Sequence, residues 1–189
     1  MSRLHPLLER NRDFAATGAH SGLVMKPRQP VLVVTCLNPR VDPGAFLGVA
    51  LGDAPVIRNA GGRVTEAVID DIAFVGTLAR TMQPEGPLFE VAVIHHTDCG
   101  NRRLADASFR SIVAARTGRD DSTLADLAVV DPAVTVRADV QRLLSSPKTP
   151  PQISVSGYVY DLESGLVTMV ADAAQPKLRE VSVSASATQ

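Results

Sequence analysis

Three short apolar segments, with a stretch between the second and third whose apolar residues recur at helical spacing, constrain the fold of this chain more than any other feature. Residues 30–35 read PVLVVT, an almost wholly apolar, β-branched run typical of a strand covered on both faces in a parallel sheet. Residues 54–58 (APVIR) and 89–94 (FEVAVI) are also predicted strands. Between them, apolar residues of 65–82 recur at three- and four-residue steps, which predicts a helix with Thr65 at its N-cap. The order strand, helix, strand predicts a crossover connection in an open α/β sheet.

The remaining sequence supplies further elements. Helices are predicted at about 103–117 and 132–144, and a closing pair of strands at 153–160 and 166–171. The chain has no internal repeat, and its 189 residues are enough for one domain that buries roughly two-thirds of the surface of the unfolded chain. We therefore predict a single α/β domain with a central, mostly parallel sheet flanked by helices.

The charge balance argues against two classes of partner. Lys and Arg together number 19 and Asp and Glu number 20, a net charge of −1, so no overall positive field attracts nucleic acid or an anionic membrane. The N-terminal segment is polar where a signal peptide needs an apolar core, and no run is long enough to span a bilayer. We expect a cytoplasmic protein with no nucleic-acid or membrane partner.

Polar residues and glycines follow each of the three predicted parallel strands. Cys36 follows the first strand, the letters NAGG beginning at Asn59 follow the second, and the letters HHTDCG, which contain His96, follow the third. In open α/β sheets, ligands bind outside the carboxyl ends of the strands. These three strand ends are therefore the predicted site.

The two cysteines and one histidine at these ends have the composition of a zinc site. A catalytic zinc takes three Cys or His ligands and keeps a fourth position open, and Cys36 with the His96-x-x-Cys99 pair would supply those three. Free cysteines are also commonly small buried hydrophobic residues, and His96 alone could be a core histidine. His95 is predicted to be structural, because adjacent strand residues point to opposite faces.

Three short motifs resemble those of the β-class carbonic anhydrases. The segment CLNPR that begins at Cys36 resembles the family motif C-x-D-x-R, and HTDCG, which begins at His96, resembles H-x-x-C-G. Between them, RNAGG resembles the R-N-A-G segment of the family, in the same order and at a similar interval. The likeness covers roughly residues 30–171.

The resemblance implies a parallel-sheet zinc enzyme, dimeric or built from dimers, that hydrates carbon dioxide to bicarbonate. It implies that Cys36, His96 and Cys99 bind Zn²⁺ and that an aspartate and an arginine form a dyad beside the metal. In this chain the dyad position holds Asn38 in place of Asp, while Arg40 is kept. We therefore expect reduced hydration activity.

Several other roles follow from the same residues. Asn59, Ala60 and Gly100 are expected to line the substrate pocket, although Asn and Gly after a strand equally suit a tight turn. Arg40 would alternatively be a solvated charge, and Asp42 is predicted to cap a helix over 43–51.

The leading hypothesis is a zinc-dependent carbonic anhydrase, or carbonate dehydratase, that acts on carbon dioxide and bicarbonate as a homo-oligomer. Hydrolysis of carbonyl sulfide or carbon disulfide is a close alternative, and a non-catalytic protein that binds zinc or bicarbonate is another.

The termini are expected to lie outside the catalytic domain. Residues 4–17 carry an apolar stripe at helical spacing that needs a covering surface, on this domain or on a partner subunit. We predict an N-terminal helical arm at 1–22, a zinc-binding α/β domain at 23–175 and a C-terminal tail at 176–189.

Overall fold

The centre of the computed structural model, which describes residues 2–176, is a five-stranded sheet. Its strands, in chain order, are β1 Val31–Cys36, β2 Val56–Asn59, β3 Glu90–His96, β4 Ser154–Tyr160 and β5 Val167–Ala174. Their order across the sheet is β2-β1-β3-β4-β5. The first four strands are parallel, and β5 runs antiparallel to β4. This confirms the predicted α/β class, with β4 and β5 as the closing pair.

Six α-helices accompany the sheet within the described residues. They are α1 His5–Ala16, α2 Pro43–Phe46, α3 Glu66–Met82, α4 Ala107–Thr117, α5 Asp121–Asp126 and α6 Pro132–Ser145. Short 3-10 segments occupy Ala60–Gly62 and Gly100–Ala105.

Two helix predictions need correction, those at 103–117 and 43–51. The helix predicted at 103–117 is divided between the 3-10 segment Gly100–Ala105 and α4. The division falls at Asp106, whose side chain caps the N-terminus of α4 by accepting hydrogen bonds from the backbone N–H groups of Ser108 and Phe109. Asp42 caps α2 as predicted, but α2 ends at Phe46, before the left-handed Gly48. Helix α5 was not predicted. Thr65 occupies the N-cap of α3 but makes no capping hydrogen bond with its side chain.

One face of the sheet is covered by α3 and α6. Apolar residues of both helices form a single buried cluster with alternate residues of β1, β3 and β4, among them Leu32, Val34, Ile69, Ile72, Val91, Val93, Val136, Val140 and Val155. The residues between them on β1 and β3 are buried as well. Burial on both faces explains why these two strands are nearly continuous apolar runs.

The parallel arrangement brings three strand ends to one edge of the sheet. Cys36 is paired in register with Asn59 at the end of β2, and Thr35 with Ile94 near the end of β3. Residues that follow β1, β2 and β3 are therefore neighbours, as the sequence predicted.

Helix α1 lies on the outside of the described structure and buries none of its residues. Leu4, Leu7, Leu8 and Phe14 are between 41% and 52% exposed. The division into arm, domain and tail stays a prediction, and nearly all of the predicted tail lies outside the described residues. None of the helices described between residues 2 and 176 has the length and apolar character required to cross a bilayer.

Candidate metal centre

Three buried side chains converge beyond the carboxyl ends of β1 and β3. The ligand atoms of Cys36, His96 and Cys99 all lie within 4.8 Å of one another. The two sulfur atoms are 4.0 Å apart, and both cysteines are free thiols. The structure thus brings together the three residues predicted to bind metal, and their role as ligands stays a prediction.

The local chain path explains how Cys99 reaches this point. His96 is the last residue of β3, and the backbone N–H of Thr97 donates to the carbonyl oxygen of Tyr160 at 3.1 Å, which continues the pairing with β4. Asp98 then takes a left-handed conformation, with φ 51°, so the chain reverses sharply. The reversal returns Cys99 to the side of His96.

The imidazole of His96 is oriented for a metal. Its Nδ1 lies 2.8 Å from the carbonyl oxygen of Thr97 and donates to it, because a carbonyl only accepts. The proton is therefore on Nδ1, and Nε2 carries a lone pair. Nε2 is buried and has no hydrogen-bond partner within residues 2–176. A metal ion would satisfy this atom, and backbone orientation of the other ring nitrogen is typical of metal-binding histidines.

The hydrogen bond between the two thiols shifts their pKa values in opposite directions. The hydrogen bond with Cys99 lowers the pKa of Cys36, against the opposing effect of burial, and the backbone N–H of Asn38 acts in the same direction as Cys99. The same hydrogen bond, with burial added, raises the pKa of Cys99. The lowered pKa of Cys36 favours the thiolate, which is the form of cysteine that binds metal.

This donor set fits zinc. Two thiolate sulfurs and one imidazole nitrogen are ligands that zinc accepts, and three protein ligands leave the open fourth position of a catalytic site. Softer ligands of this kind disfavour magnesium and calcium, which take oxygen.

Asn38 and Arg40 contact each other beside the cysteine. The backbone N–H of Asn38 is 3.4 Å from Cys36 Sγ, and Asn38 Oδ1 accepts from the backbone N–H and from Nε of Arg40 at 2.9 and 3.2 Å. Arg40 also pairs with the Asp98 carboxylate at 3.0 Å. The hydrogen bond and charge of Arg40 lower the pKa of Asp98. Arg40 therefore has an anionic partner that the sequence analysis did not assign.

Arg58 is a further residue that the sequence analysis left out of the site. Its Nε donates to the carbonyl oxygen of Cys36 at 3.1 Å and its Nη2 to that of Asn38 at 2.8 Å. Its Nη1 pairs with Asp42, which caps α2 through its other carboxylate oxygen. Arg58 fastens the loop after β1 to the end of β2. Its place immediately before Asn59 in the RNAGG segment was the signal available in the sequence.

The predicted pocket residues lie next to the candidate ligands, because Asn59 is paired in register with Cys36 and Gly100 follows Cys99. Asn59 donates from Nδ2 to the carbonyl oxygen of Arg63 at 2.7 Å, and the carbonyl oxygen of Ala60 accepts from Asn101 at 3.1 Å. Gly100 borders open space. Their contribution to a substrate pocket stays a prediction.

A cavity of about 440 Å³ opens directly beside two of the candidate ligands. His96 and Cys99 line it together with Asp98, Arg102, Ala105, Val129, Val130 and Pro132. None of Asn59, Ala60 and Gly100 lines it. A larger cavity of about 670 Å³ lies at the amino ends of the strands, where Val31, Glu90 and Ser154 begin β1, β3 and β4, and so is remote from the ligands.

A buried charged network lies behind the centre. His95, as predicted, points away from His96, and its Nε2 lies 3.2 Å from Asp139 Oδ2. Arg63 donates to both carboxylate oxygens of Asp139, at 2.7 and 3.0 Å. Burial opposes ionisation of Asp139, but the hydrogen bonds from His95 and Arg63 outweigh it and lower the pKa of the carboxyl group.

Comparison with known proteins gives consistent matches over most of the chain. Beta-carbonic anhydrase 1 of Mycobacterium tuberculosis is 32% identical over 163 residues, which are 86% of this chain and 94% of that protein. The crystal structure of a carbonic anhydrase from Streptococcus mutans matches with a TM-score of 0.73 and 35% identity, covering 90% of this chain and 98% of that one. A carbon disulfide hydrolase of Acidianus sp. is 26% identical over 155 residues, 70% of this chain and 72% of that protein. No family model matches the chain.

The sequence identity and the fold lead to the same assignment. The identity to the mycobacterial protein extends over nearly the whole of that protein, and the fold of the Streptococcus mutans structure matches 90% of this chain. The chain belongs to the β-carbonic anhydrase family.

Proposed function

We propose that this chain is a zinc-dependent carbonic anhydrase that interconverts carbon dioxide and bicarbonate. One observation carries the proposal: two cysteine sulfurs meet a histidine whose Nε2 is buried, carries a lone pair and has no partner among residues 2–176. Family membership supports the same reading. Carbon dioxide and bicarbonate are the proposed small-molecule partners, a homo-oligomer is the proposed assembly, and a cytoplasmic location stays a prediction.

Each residue of the proposed centre has a role toward the metal. Cys36, His96 and Cys99 would hold zinc, which when bound lowers the pKa of a coordinated water towards 7 and so supplies the nucleophile. The carbonyl oxygen of Thr97 orients His96, and Arg58 holds the backbone carbonyl groups of Cys36 and Asn38, which follow the Cys36 side chain. These contacts would keep the ligands in place during turnover.

The cavity beside His96 and Cys99 suits both sides of the proposed reaction. Ala105, Val129, Val130 and Pro132 provide an apolar wall for uncharged carbon dioxide. Arg102, at the same cavity, provides a positive charge for anionic bicarbonate. Hydration combines carbon dioxide with water and yields bicarbonate and one proton, so both an apolar and a cationic surface are needed.

Parallel measurements of zinc content and of carbon dioxide hydration test the proposal. We expect about one zinc per chain in the wild type and hydration well above the uncatalysed rate. Cys99→Ser should lose the metal and the activity together, because serine is a poor zinc ligand. Circular dichroism should establish that the variant remains folded. Turnover by a metal-free wild-type preparation would contradict the proposal.

Hydrolysis of carbon disulfide or carbonyl sulfide is the second candidate. The 26% identity to the carbon disulfide hydrolase of Acidianus sp. favours it. Release of hydrogen sulfide from either substrate, faster than hydration of carbon dioxide, would select this candidate. Full zinc occupancy with neither reaction would identify a non-catalytic zinc-binding protein.

A further inference from the structure

Arg40 connects the two turns that carry the candidate ligands. It lies on the segment after β1, four residues beyond Cys36, whereas Asp98 lies between His96 and Cys99. From Arg40, Nη1 donates to the Asp98 carboxylate at 3.0 Å and Nη2 to the Asp98 carbonyl oxygen at 3.1 Å. One side chain therefore bridges the turn that presents Cys36 and the turn that presents Cys99.

Asn38 keeps Arg40 aligned for this bridge. Its Oδ1 accepts from both the backbone N–H and the Nε of Arg40. Because these groups only donate, the amide oxygen must face Arg40 and the amide nitrogen must face away. The amide is neutral, so within residues 2–176 the carboxylate that pairs with Arg40 is that of Asp98.

The backbone of Asp98, which Arg40 contacts, is in the left-handed region. Asp98 is the one residue other than glycine with a positive φ in the described part of the chain. Left-handed backbone is uncommon for residues other than Gly, Asn and Asp, and it persists where surrounding contacts hold it. Arg40 binds both the side chain and the carbonyl oxygen of Asp98, and Cys99 is the next residue.

We propose that Asp98 is a positioning residue for the metal centre. Held by Arg40, it maintains the left-handed turn that brings Cys99 within 4.0 Å of the Cys36 sulfur. It also replaces residue 38 as the anionic partner of Arg40. The inference rests on the metal site of the proposed function and not on the reaction catalysed there.

Three substitutions at position 98 separate charge from backbone conformation. Asp98→Ala removes the carboxylate and tolerates the left-handed turn poorly, so zinc and cobalt affinity, measured by competition with a chelator, should fall about tenfold or more. Asp98→Gly also removes the carboxylate, but glycine adopts the left-handed backbone without cost. Its metal affinity should therefore fall less than that of Asp98→Ala. Asp98→Asn keeps a hydrogen-bond acceptor and a residue type that tolerates the left-handed turn. Of the three variants, its metal affinity should therefore be closest to that of the wild type.

Variants of the arginines supply the matched control. Arg40→Ala should weaken metal binding as Asp98→Ala does, and the double variant should be no weaker than either single one, because both remove the same bridge. Arg102 contacts Asp98 at a longer 3.4 Å, so Arg102→Ala should keep wild-type affinity. In the cobalt proteins, the sulfur-to-metal charge-transfer band should change for Arg40→Ala and not for Arg102→Ala.

A metal-free measurement separates this inference from the proposed function. Phenylarsine oxide binds two neighbouring thiols, so its affinity for the metal-free protein reports how well Cys36 and Cys99 are placed. Asp98→Ala and Arg40→Ala should both weaken it. If the wild type binds the arsenical but no zinc or cobalt, the proposed function fails and the bridge is still tested. The inference would be overturned if both variants bound metal and the arsenical with wild-type affinity. If Asp98→Ala does not fold, the result for Arg40→Ala alone tests the inference.

Discussion

The side-chain oxygen and nitrogen of Asn38 differ in their hydrogen bonding. Its oxygen accepts two hydrogen bonds from Arg40, and its nitrogen donates to no group within residues 2–176. Any ligand that meets the free end of this side chain therefore meets a donor. A carboxylate in the same position would offer Arg40 the same acceptor and would present a second acceptor in place of the donor.

We predict that Asn38→Asp raises the rate of carbon dioxide hydration. The added acceptor would take a hydrogen bond from the attacking water and leave the water's lone pair free for carbon, whereas an amide N–H competes for that lone pair. Groups that orient a metal site typically change activity about 10- to 100-fold, so the gain should lie in that range. Steady-state hydration at matched zinc content and pH measures it.

Asn38→Ala is the control for this prediction, because it removes donor and acceptor together and should give no such gain. Equal rates for the Asp variant and the wild type would mean that position 38 does not limit hydration. The site would then suit another substrate, or binding alone.

At the scale of elements, the 3-10 segment Ala60–Gly62 packs directly on the end of β1. A Cβ added to Gly62 would lie 2.9 Å from the backbone N of Cys36 and 2.9 Å from the carbonyl carbon of Thr35. The neighbouring atoms are backbone and cannot rotate away. Glycine at this position therefore lets the turn after β2 approach the ligand-bearing strand.

We predict that Gly62→Ala lowers the free energy of unfolding by about 1–3 kcal/mol more than Gly118→Ala does. Gly118 has nearly the same φ, 69° against 68°, but its Cβ would meet nothing within 4 Å. The pair therefore separates close packing from backbone strain. Urea unfolding measures both variants, and equal losses would show that the approach to β1 contributes nothing.

A buried network of Asp139, Arg63 and His95 also connects separate elements. It joins α6 to β3 and to the turn after β2, and all three side chains are almost fully buried. Asp139→Asn leaves Arg63 without its charged partner, and breaking a buried pair typically costs about 3–5 kcal/mol. We expect a loss of that size in urea unfolding at neutral pH.

The same carboxyl group should contribute to acid sensitivity. Its pKa is lowered in the folded protein, so it stabilises the fold fully above the unfolded-state pKa of about 3.9 and loses this contribution as the pH falls through the folded value. Unfolding free energies of wild type and Asp139→Asn should therefore converge as the pH falls below about 4. A constant difference between the two proteins across this range would contradict the assignment.

At the scale of the whole molecule, the exposed apolar residues of α1 call for a covering surface. None of its residues is buried in one chain, and Leu4, Leu7 and Leu8 are about half exposed. Exposed apolar patches of this kind are typical of contacts between proteins. A second copy of the chain is the partner that the family resemblance implies.

We predict a homodimer as the smallest stable assembly, measured by light scattering. Leu8→Glu, on the apolar stripe of α1, should shift the protein towards monomer by placing a charge in the contact. Arg10→Glu changes charge on the same helix outside that stripe and serves as the control. A monomeric wild type at working concentration would contradict this prediction.

Local sequence determined the strands, the crossover helix and the approximate position of the site. The β-branched runs before Cys36 and His96 favour strands over helices, and the apolar spacing of 65–82 favours the crossover helix, so the parallel sheet follows. Parallel strands carry their carboxyl ends to one edge, which is why the structure brings Cys36, His96 and Cys99 together.

Only the tertiary structure decided which residues support the site. Arg40 and Asp98 are 58 positions apart, and Arg63 and Asp139 are 76 apart, so no spacing or periodicity in the sequence relates them. The orientation of the Asn38 amide likewise depends on which donors surround it. Periodicity reports which residues share a face of one helix or strand, whereas these partners are set by how separate elements pack against one another.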